Sequence, residues 1–191
     1  MFIKSVKDSE KDILLTQFGR FDIQEDENPQ DSFNVGILDR FDRVLTVDES
    51  HELLTSVYLD SLYEPFFVDY FTEVFKVNGN ESVYIYSQDF ARLSKKEITK
   101  CKKHLNKKEY NLLLMQLHSK EVLLKIDTIS LLRLFVILST RTLIFSNFFF
   151  PQTGTVIVGN YDLSFPLYSL NKTQFDEYSE LARRHGLFIR R

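Results

Sequence analysis

The longest uncharged segment of the chain constrains its fold more than any other feature. Residues 142–161 carry no charged side chain over 20 positions, which is the length of a membrane-spanning helix. The segment is interrupted, however, by Pro151, Gly154 and Gly159. A bilayer would leave the backbone groups of the resulting turn unpaired, at a cost of several kcal/mol each. We therefore expect two strands and a tight connection, a hairpin at about 142–169, and no membrane partner.

The rest of the chain alternates helical and strand patterns. Apolar residues at helical spacing predict helices within 9–18, 48–62, 66–77, 95–104, 107–118, 128–140 and 171–185. Short alternating or β-branched runs predict strands within 33–47, 82–90 and 187–191, besides the hairpin. We expect one α+β domain over residues 1–191, predominantly helical, with a small and mostly antiparallel sheet.

Several helix starts have capping signals. Ser94 with Glu97, and Asn106 with Glu109, match the capping box and predict two helices joined by a short turn. The stretch 48–50 and Asp127 are expected to cap the helices that follow them.

Charge is distributed unevenly between the two halves of the chain. The acidic half, 1–90, has 7 Lys and Arg against 19 Asp and Glu, whereas the basic half, 91–191, has 17 against 8. The halves therefore carry −12 and +9, although the whole chain carries only −3. A surface as acidic as the first half attracts basic partners and repels nucleic acid.

Catalytic and metal-binding motifs are absent from the sequence. The four histidines share no metal-ligand spacing, and the single Cys101 has no second cysteine with which to form a disulfide. No glycine-rich phosphate loop or nucleophile motif is present. We expect no enzyme activity, no cofactor and no metal, and a reducing, cytoplasmic location.

Two acidic pairs and one polar interruption are candidate contact points. Asp60 with Glu64, and Asp69 with Glu73, are like charges four residues apart, which destabilise a helix slightly. They fit either a solvated helix face or a face on which a cationic partner docks. Asp162 lies beside Tyr161 in the otherwise uncharged hairpin. It is either a general base, an anion that binds a partner, a turn cap, or the partner of an arginine such as Arg133 or Arg141.

A lysine-rich segment raises the possibility of nucleic-acid binding. Residues 92–125 hold ten Lys or Arg and three Glu, on the two helices with capping boxes. The turn between these helices lacks a central glycine, and the second helix carries LLLMQLH where base-reading side chains would stand. Together with the acidic first half, this argues against nucleic acid as a partner.

In overall character the chain resembles the immunity proteins of bacterial toxin–immunity pairs. The features that carry the resemblance are the acidic residues of the first half, the hairpin ending IVGNYDLSFPLYS, abundant Phe and Tyr, and the missing catalytic motifs. The resemblance implies a non-enzymatic protein that neutralises a basic partner, a cognate toxin domain of the nuclease type. The expected partner-binding residues are Asp22, Glu25, Asp26, Glu27, Asp60, Glu64, Asp69, Glu73, Tyr161 and Asp162.

Two alternatives remain open at this point. The first is a carboxylate- or metal-dependent hydrolase that uses Asp162 with acids from the first half. The second is a nucleic-acid-binding regulator, whose contacts would be Lys95, Lys96, Lys102, Lys103, Lys107 and Lys108.

Overall fold

The computed structural model describes residues 2–55 and 62–191, and these residues form the predicted α+β fold. The helices are α1 (Asp8–Phe18), α2 (Val47–Leu53), α3 (Glu64–Val77), α4 (Gln88–Ala91), α5 (Lys95–His104), α6 (Lys107–Gln116), α7 (Ile129–Thr140) and α8 (Lys172–Arg184). The strands are β1 (Lys4–Ser5), β2 (Asn34–Asp39), β3 (Val83–Tyr86), β4 (Leu123–Ile126), β5 (Asn147–Phe150), β6 (Thr155–Val158), β7 (Phe165–Ser169) and β8 (Phe188–Arg190).

The eight strands of the described residues belong to one antiparallel sheet, which is larger than the sequence pattern predicts. The strand order is β1-β4-β3-β5-β6-β7-β2-β8, so the sheet takes strands from both halves of the chain. The uncharged segment and its continuation form three strands, β5 to β7, where two were predicted. The predicted hairpin around Pro151 and Gly154 is present as β5 and β6, and a turn at Tyr161–Leu163 leads into β7.

The sheet separates two hydrophobic cores because successive side chains of a strand point to opposite faces. Phe148 and Phe150 of β5 lie in the larger core, on what we call face 1. Phe149, between them, lies in the smaller core on face 2. The two faces therefore bury adjacent residues of the same strand, and this accounts for the nearly unbroken apolar sequence of β5 and β6.

Helices cover face 1, and α1 with the loop 20–33 covers face 2. On face 1, α3 packs against α7 and α8, and it buries Phe67, Tyr70, Phe71 and Val74 at the predicted helical spacing. Side chains of α5 and α6 also enter this core. On face 2, the core takes Leu14 and Phe18 from α1. None of the helices in the described ranges is both long and apolar enough to span a membrane.

The capping predictions are confirmed at α5 and α6 and wrong in two other places. Ser94 and Asn106 accept the backbone N–H groups of Glu97 and Glu109, which bond back in return. Helix α2, by contrast, starts from a capping box of Thr46 rather than from the stretch 48–50, and it ends at Leu53. The residue at the N-terminal cap position of α7 is Thr128, not Asp127. The Asp127 carboxylate pairs with Lys4 Nζ at 2.5 Å instead of capping the helix.

Candidate partner-binding surface

The acidic loop 20–33 is held on face 2 by apolar side chains that point inward. Ile23 is fully buried and Phe33 nearly so, and the ring of Phe33 packs edge-on against Tyr168 of β7 at 6.0 Å. Arg20 Nη1 donates to the carbonyl oxygen of Glu25 at 3.0 Å. The loop therefore has a fixed course across the sheet, although it is polar in sequence.

The start of this loop meets the sheet at Asn147. The Asn147 side-chain amide donates to the carbonyl oxygen of Phe21 at 3.0 Å. The ring of Phe21 stacks on Tyr86 with 6.0 Å between centroids, and Tyr86 is the cross-strand partner of Asn147. Gln88 Nε2 donates to the Tyr86 hydroxyl at 2.8 Å and fixes the ring from its polar end. Two half-buried aromatic rings thus lie at this end of β3 and β5.

A second aromatic pair includes Phe145, two residues before Asn147 in the chain. The rings of Phe145 and Tyr161 contact each other at 4.7 Å between centroids, and Tyr161 is 63% exposed. The backbone of Phe145 is fixed from α4 and its cap: Asp89 Oδ2 accepts its N–H at 3.1 Å, and Ser87 Oγ donates to its carbonyl oxygen at 2.7 Å. Both aromatic pairs are therefore anchored on the short segment 145–147.

The loop that carries Tyr161 has an unfavourable backbone conformation. Asp162 and Leu163 both have φ near +56°, in the left-handed region that costs a non-glycine residue roughly 1–2 kcal/mol. Packing maintains the conformation, because Leu163 is only 1% exposed and lies in the face 1 core. Ser164 Oγ donates to the buried carboxylate of Asp39 at 3.1 Å and holds the end of the loop. The result is that Tyr161 and Asp162 are both held in solvent.

Three carboxylates adjoin these rings: Asp22 follows Phe21 in the chain, Asp162 follows Tyr161, and Asp89 binds the Phe145 backbone. Among the described residues, no Lys, Arg or His lies within 4 Å of the carboxylates of Asp22, Asp89 or Asp162. We call this region the aromatic–acidic surface; it comprises Phe21, Asp22, Tyr86, Asp89, Phe145, Tyr161 and Asp162. The predicted residues Glu25, Asp26 and Glu27 follow in the same loop, equally without an ionic partner in the described ranges.

The other predicted contact residues do not join this surface. Glu64 is buried, at 6% exposure, and binds Arg141, so its expected place on a wet, partner-binding helix face is wrong. Asp69 and Glu73 lie on α3, which covers face 1, the side of the sheet opposite to loop 20–33. Glu73 also pairs with Lys76 at 2.5 Å, which lowers its pKa. Asp60 lies outside the described residues.

Sequence reasoning missed Phe21, Tyr86, Asp89 and Phe145. The alternation of VYIY in β3 carried a signal for Tyr86, since Val83 and Ile85 face one core and the two tyrosines the other. Asp89 and Phe145 are 56 residues apart and meet only through the fold. No local pattern marks such a pair.

The described residues give little support for a carboxylate- or metal-dependent hydrolase or for a reactive cysteine. No group of three His, Cys, Asp or Glu residues that could hold a metal ion occurs within 2–55 and 62–191. Asp162 has neither Arg133 nor Arg141 as an ion-pair partner, since Arg141 binds Glu64. Burial raises the pKa of the Cys101 thiol, which is the opposite of what a reactive cysteine requires.

Comparison with known proteins gives no relative from which to transfer a function. No protein-family model, no curated protein and no solved structure matches the chain.

Proposed function

We propose that this protein is a non-enzymatic binding protein that captures a basic protein partner on its aromatic–acidic surface. The observation that carries the proposal is the contact between the rings of Phe145 and the exposed Tyr161. Asp89 binds the Phe145 backbone, Asp162 follows Tyr161 in the chain, and Asp22 follows Phe21, whose carbonyl oxygen is bound by Asn147. Aromatic side chains are enriched among the residues that dominate binding energy, and unpaired charges around them speed association with an oppositely charged partner.

Preorganisation supports a binding role for these residues. Asn147 fixes the loop at Phe21, Ser87 and Asp89 fix Phe145, and Asp39 fixes Ser164. A partner that docks here would not have to order these segments, so less of its contact energy would be lost to conformational entropy. The left-handed Asp162 and Leu163 are also typical of backbone strain retained for a function.

The immunity proteins of bacterial toxins are the class of binder that fits these features best. They occlude a basic, often nuclease, toxin with carboxylates that stand in for phosphates. The proposal accordingly includes a bacterial, cytoplasmic protein that protects its own cell. In this proposal the residues that bind the partner lie in loop 20–33 and in the loop of Tyr161, rather than across the whole acidic half.

The test is co-purification with the basic protein encoded beside this protein's own gene. A charge-reversed variant of the surface, with Asp22→Lys, Asp89→Lys and Asp162→Lys, is compared with the wild type. A matched control reverses Asp48, Glu52 and Glu177, which are exposed and have no ion-pair partner in the described ranges. Both triples change the net charge by the same amount.

We expect the control and the wild type to retain the partner and the surface variant to lose it. The association rate of the wild type should fall with increasing salt, and that dependence should be weaker in the surface variant. Equal retention by all three proteins would place the interface elsewhere. If the basic protein encoded beside this gene had no affinity for the wild type, the immunity role would be excluded.

A further inference from the structure

A second strongly charged surface lies on α5 and α6. Seven lysines occur between residues 95 and 108, and every one of them is exposed: Lys95, Lys96, Lys100, Lys102, Lys103, Lys107 and Lys108. In the described part of the chain, none has a carboxylate oxygen within 4 Å. We call this set the lysine surface.

The two carboxylates of these helices bind backbone N–H groups as caps and form no ion pair with the lysines in the described part of the chain. Glu97 accepts the Ser94 backbone N–H at 2.7 Å, and Glu109 accepts that of Asn106 at 2.9 Å. The bonds to Ser94 lower the pKa of Glu97, and the charges of Lys100 and Lys96 lower it further. Glu97 and Glu109 are the only acidic residues in α5 and α6, so the remaining exposed charge of both helices is positive.

Four of the lysines occupy positions that work against helix stability. Lys95 and Lys96 begin α5, and Lys107 and Lys108 begin α6. The positive end of the helix dipole lies at the N-terminus, where a cation is disfavoured. Residues that oppose local stability without a compensating contact are typical of functional surfaces.

The fold separates the lysine surface from the acidic loop. Cys101, Leu105 and Leu113 anchor α5 and α6 in the core of face 1, whereas loop 20–33 covers face 2. Arg141 donates to the carbonyl oxygen of His104 and fixes the end of α5. The acidic half of the chain was expected to repel nucleic acid, but its loop 20–33 and the lysine surface lie on opposite sides of the sheet.

We infer that the lysine surface binds the phosphate backbone of nucleic acid without reading the base sequence. Lysine is a point charge well suited to phosphate, whereas base edges are read mainly by Arg, Asn and Gln. Helix α5, which carries five of the seven lysines, contains none of those three residues and exposes no apolar side chain that would insert into a lipid bilayer; the exposed Leu114 and Met115 lie at the far end of α6. This surface is distinct from the aromatic–acidic surface, so the two proposals fail or succeed separately.

The experiment is fluorescence anisotropy with a labelled DNA duplex of about 20 base pairs, titrated at several salt concentrations. The test variant replaces Lys96, Lys100 and Lys103 with Gln; these residues are spaced to lie along one side of α5. The control replaces Lys7, Lys120 and Lys172, exposed lysines of other segments, with Gln. Far-ultraviolet circular dichroism confirms that both variants are folded.

We expect the wild type and the control to bind the duplex with an affinity that falls linearly with the logarithm of salt concentration. The test variant should lose about 0.9 of that slope for each lysine that contacts a phosphate, and bind more than about tenfold more weakly at 100 mM salt. The proposal is overturned by no binding at 50 mM salt or by an equal loss in the control. Tighter binding to phosphatidylserine vesicles than to the duplex, or salt-sensitive self-association that accounts for the signal, would also overturn it.

Discussion

The guanidinium group of Arg141 binds both oxygens of the Glu64 carboxylate. Nε lies 2.8 Å from Oε2 and Nη2 lies 2.7 Å from Oε1, and the Thr140 hydroxyl donates to Oε2 at 2.8 Å. Only 16% of the Arg141 side chain and 8% of the Glu64 side chain are exposed. This bond joins the start of α3 to the end of α7.

Replacing Arg141 with Met should destabilise the protein strongly. The substitution leaves the Glu64 charge buried without its partner, and breaking a buried pair in this way removes about 3–5 kcal/mol from the free energy of unfolding. Urea denaturation measures the loss. Arg133→Met, an exposed position on the same helix, is the control and should change the free energy by less than about 0.5 kcal/mol. Similar losses in the two variants would mean that the ion pair has no special role.

Stability should also fall in acid because of Glu10. The Glu10 carboxylate accepts bonds from Lys125 and from the Tyr84 hydroxyl, and the Lys125 bond is the main reason that its pKa falls from 4.5 to about 2. Because the folded pKa is depressed, the stabilisation is complete above about pH 4.5 and is lost as the pH falls towards 2. Glu10→Gln should lower stability at pH 7 by about 1–2 kcal/mol and flatten the curve between pH 5 and 2.

The control for this pH dependence is Asp12→Asn on the same helix. Asp12 is exposed and has no ion-pair partner among the described residues. Its replacement should leave the acid dependence of stability as steep as in the wild type. An unchanged curve for Glu10→Gln would show that the cluster of Glu10, Tyr84 and Lys125 contributes little.

Tyr161→Ala should separate binding from stability. The Tyr161 side chain is 63% exposed, so its removal should change the free energy of unfolding by no more than about 0.5 kcal/mol. If Tyr161 is a dominant contact, its loss should weaken the complex with the basic partner by about 30-fold. Isothermal titration calorimetry measures this effect, and Val44→Ala, at a residue 76% exposed, is the control. Full affinity in Tyr161→Ala would argue against the aromatic–acidic surface.

Gly36→Ala should loosen the edge of the sheet at β8. An added Cβ would lie 2.6 Å from Ile189 Cγ2, 2.9 Å from the Arg190 carbonyl oxygen and 3.0 Å from Phe175 Cζ. Because backbone is among these neighbours, relief requires β8 to move, at a cost of about 1–3 kcal/mol. Faster hydrogen exchange at the amides of β8 than in the wild type would confirm the displacement. Unchanged exchange and stability would contradict it.

Local rules predicted the helices well where the signal lies within a few residues. The boundaries of α5 at residues 95 and 104 agree with the structure because the capping box of Ser94 and Glu97 lies at its start. The helix of residues 172–184 likewise follows from its cap, Asn171, and from Gly186 just beyond it. Asp127 was assigned wrongly as a cap because Lys4, more than 120 residues away, competes for its carboxylate.

The candidate surface was only partly predictable because its parts meet across the sheet. Tyr161 and Asp162 were marked by their polarity inside an apolar segment, and Asp22 by its acidic loop. Glu64 looks like a solvated acid in the sequence, since nothing near it reveals that Arg141 will lie opposite. Long-range pairing of this kind depends on how α3 packs against α7, which a single sequence does not specify.

The position of β2 has a consequence for how the chain folds as it is made. Its neighbours are β7 and β8, so Asn34–Asp39 has no partner strand until about 126 further residues have been synthesised. At roughly 5–20 residues per second, that interval is on the order of 6–25 s on the ribosome. During this time Leu38, which is fully buried in the folded protein, has no sheet to join. One half of the sheet is therefore completed only after most of the chain has been translated.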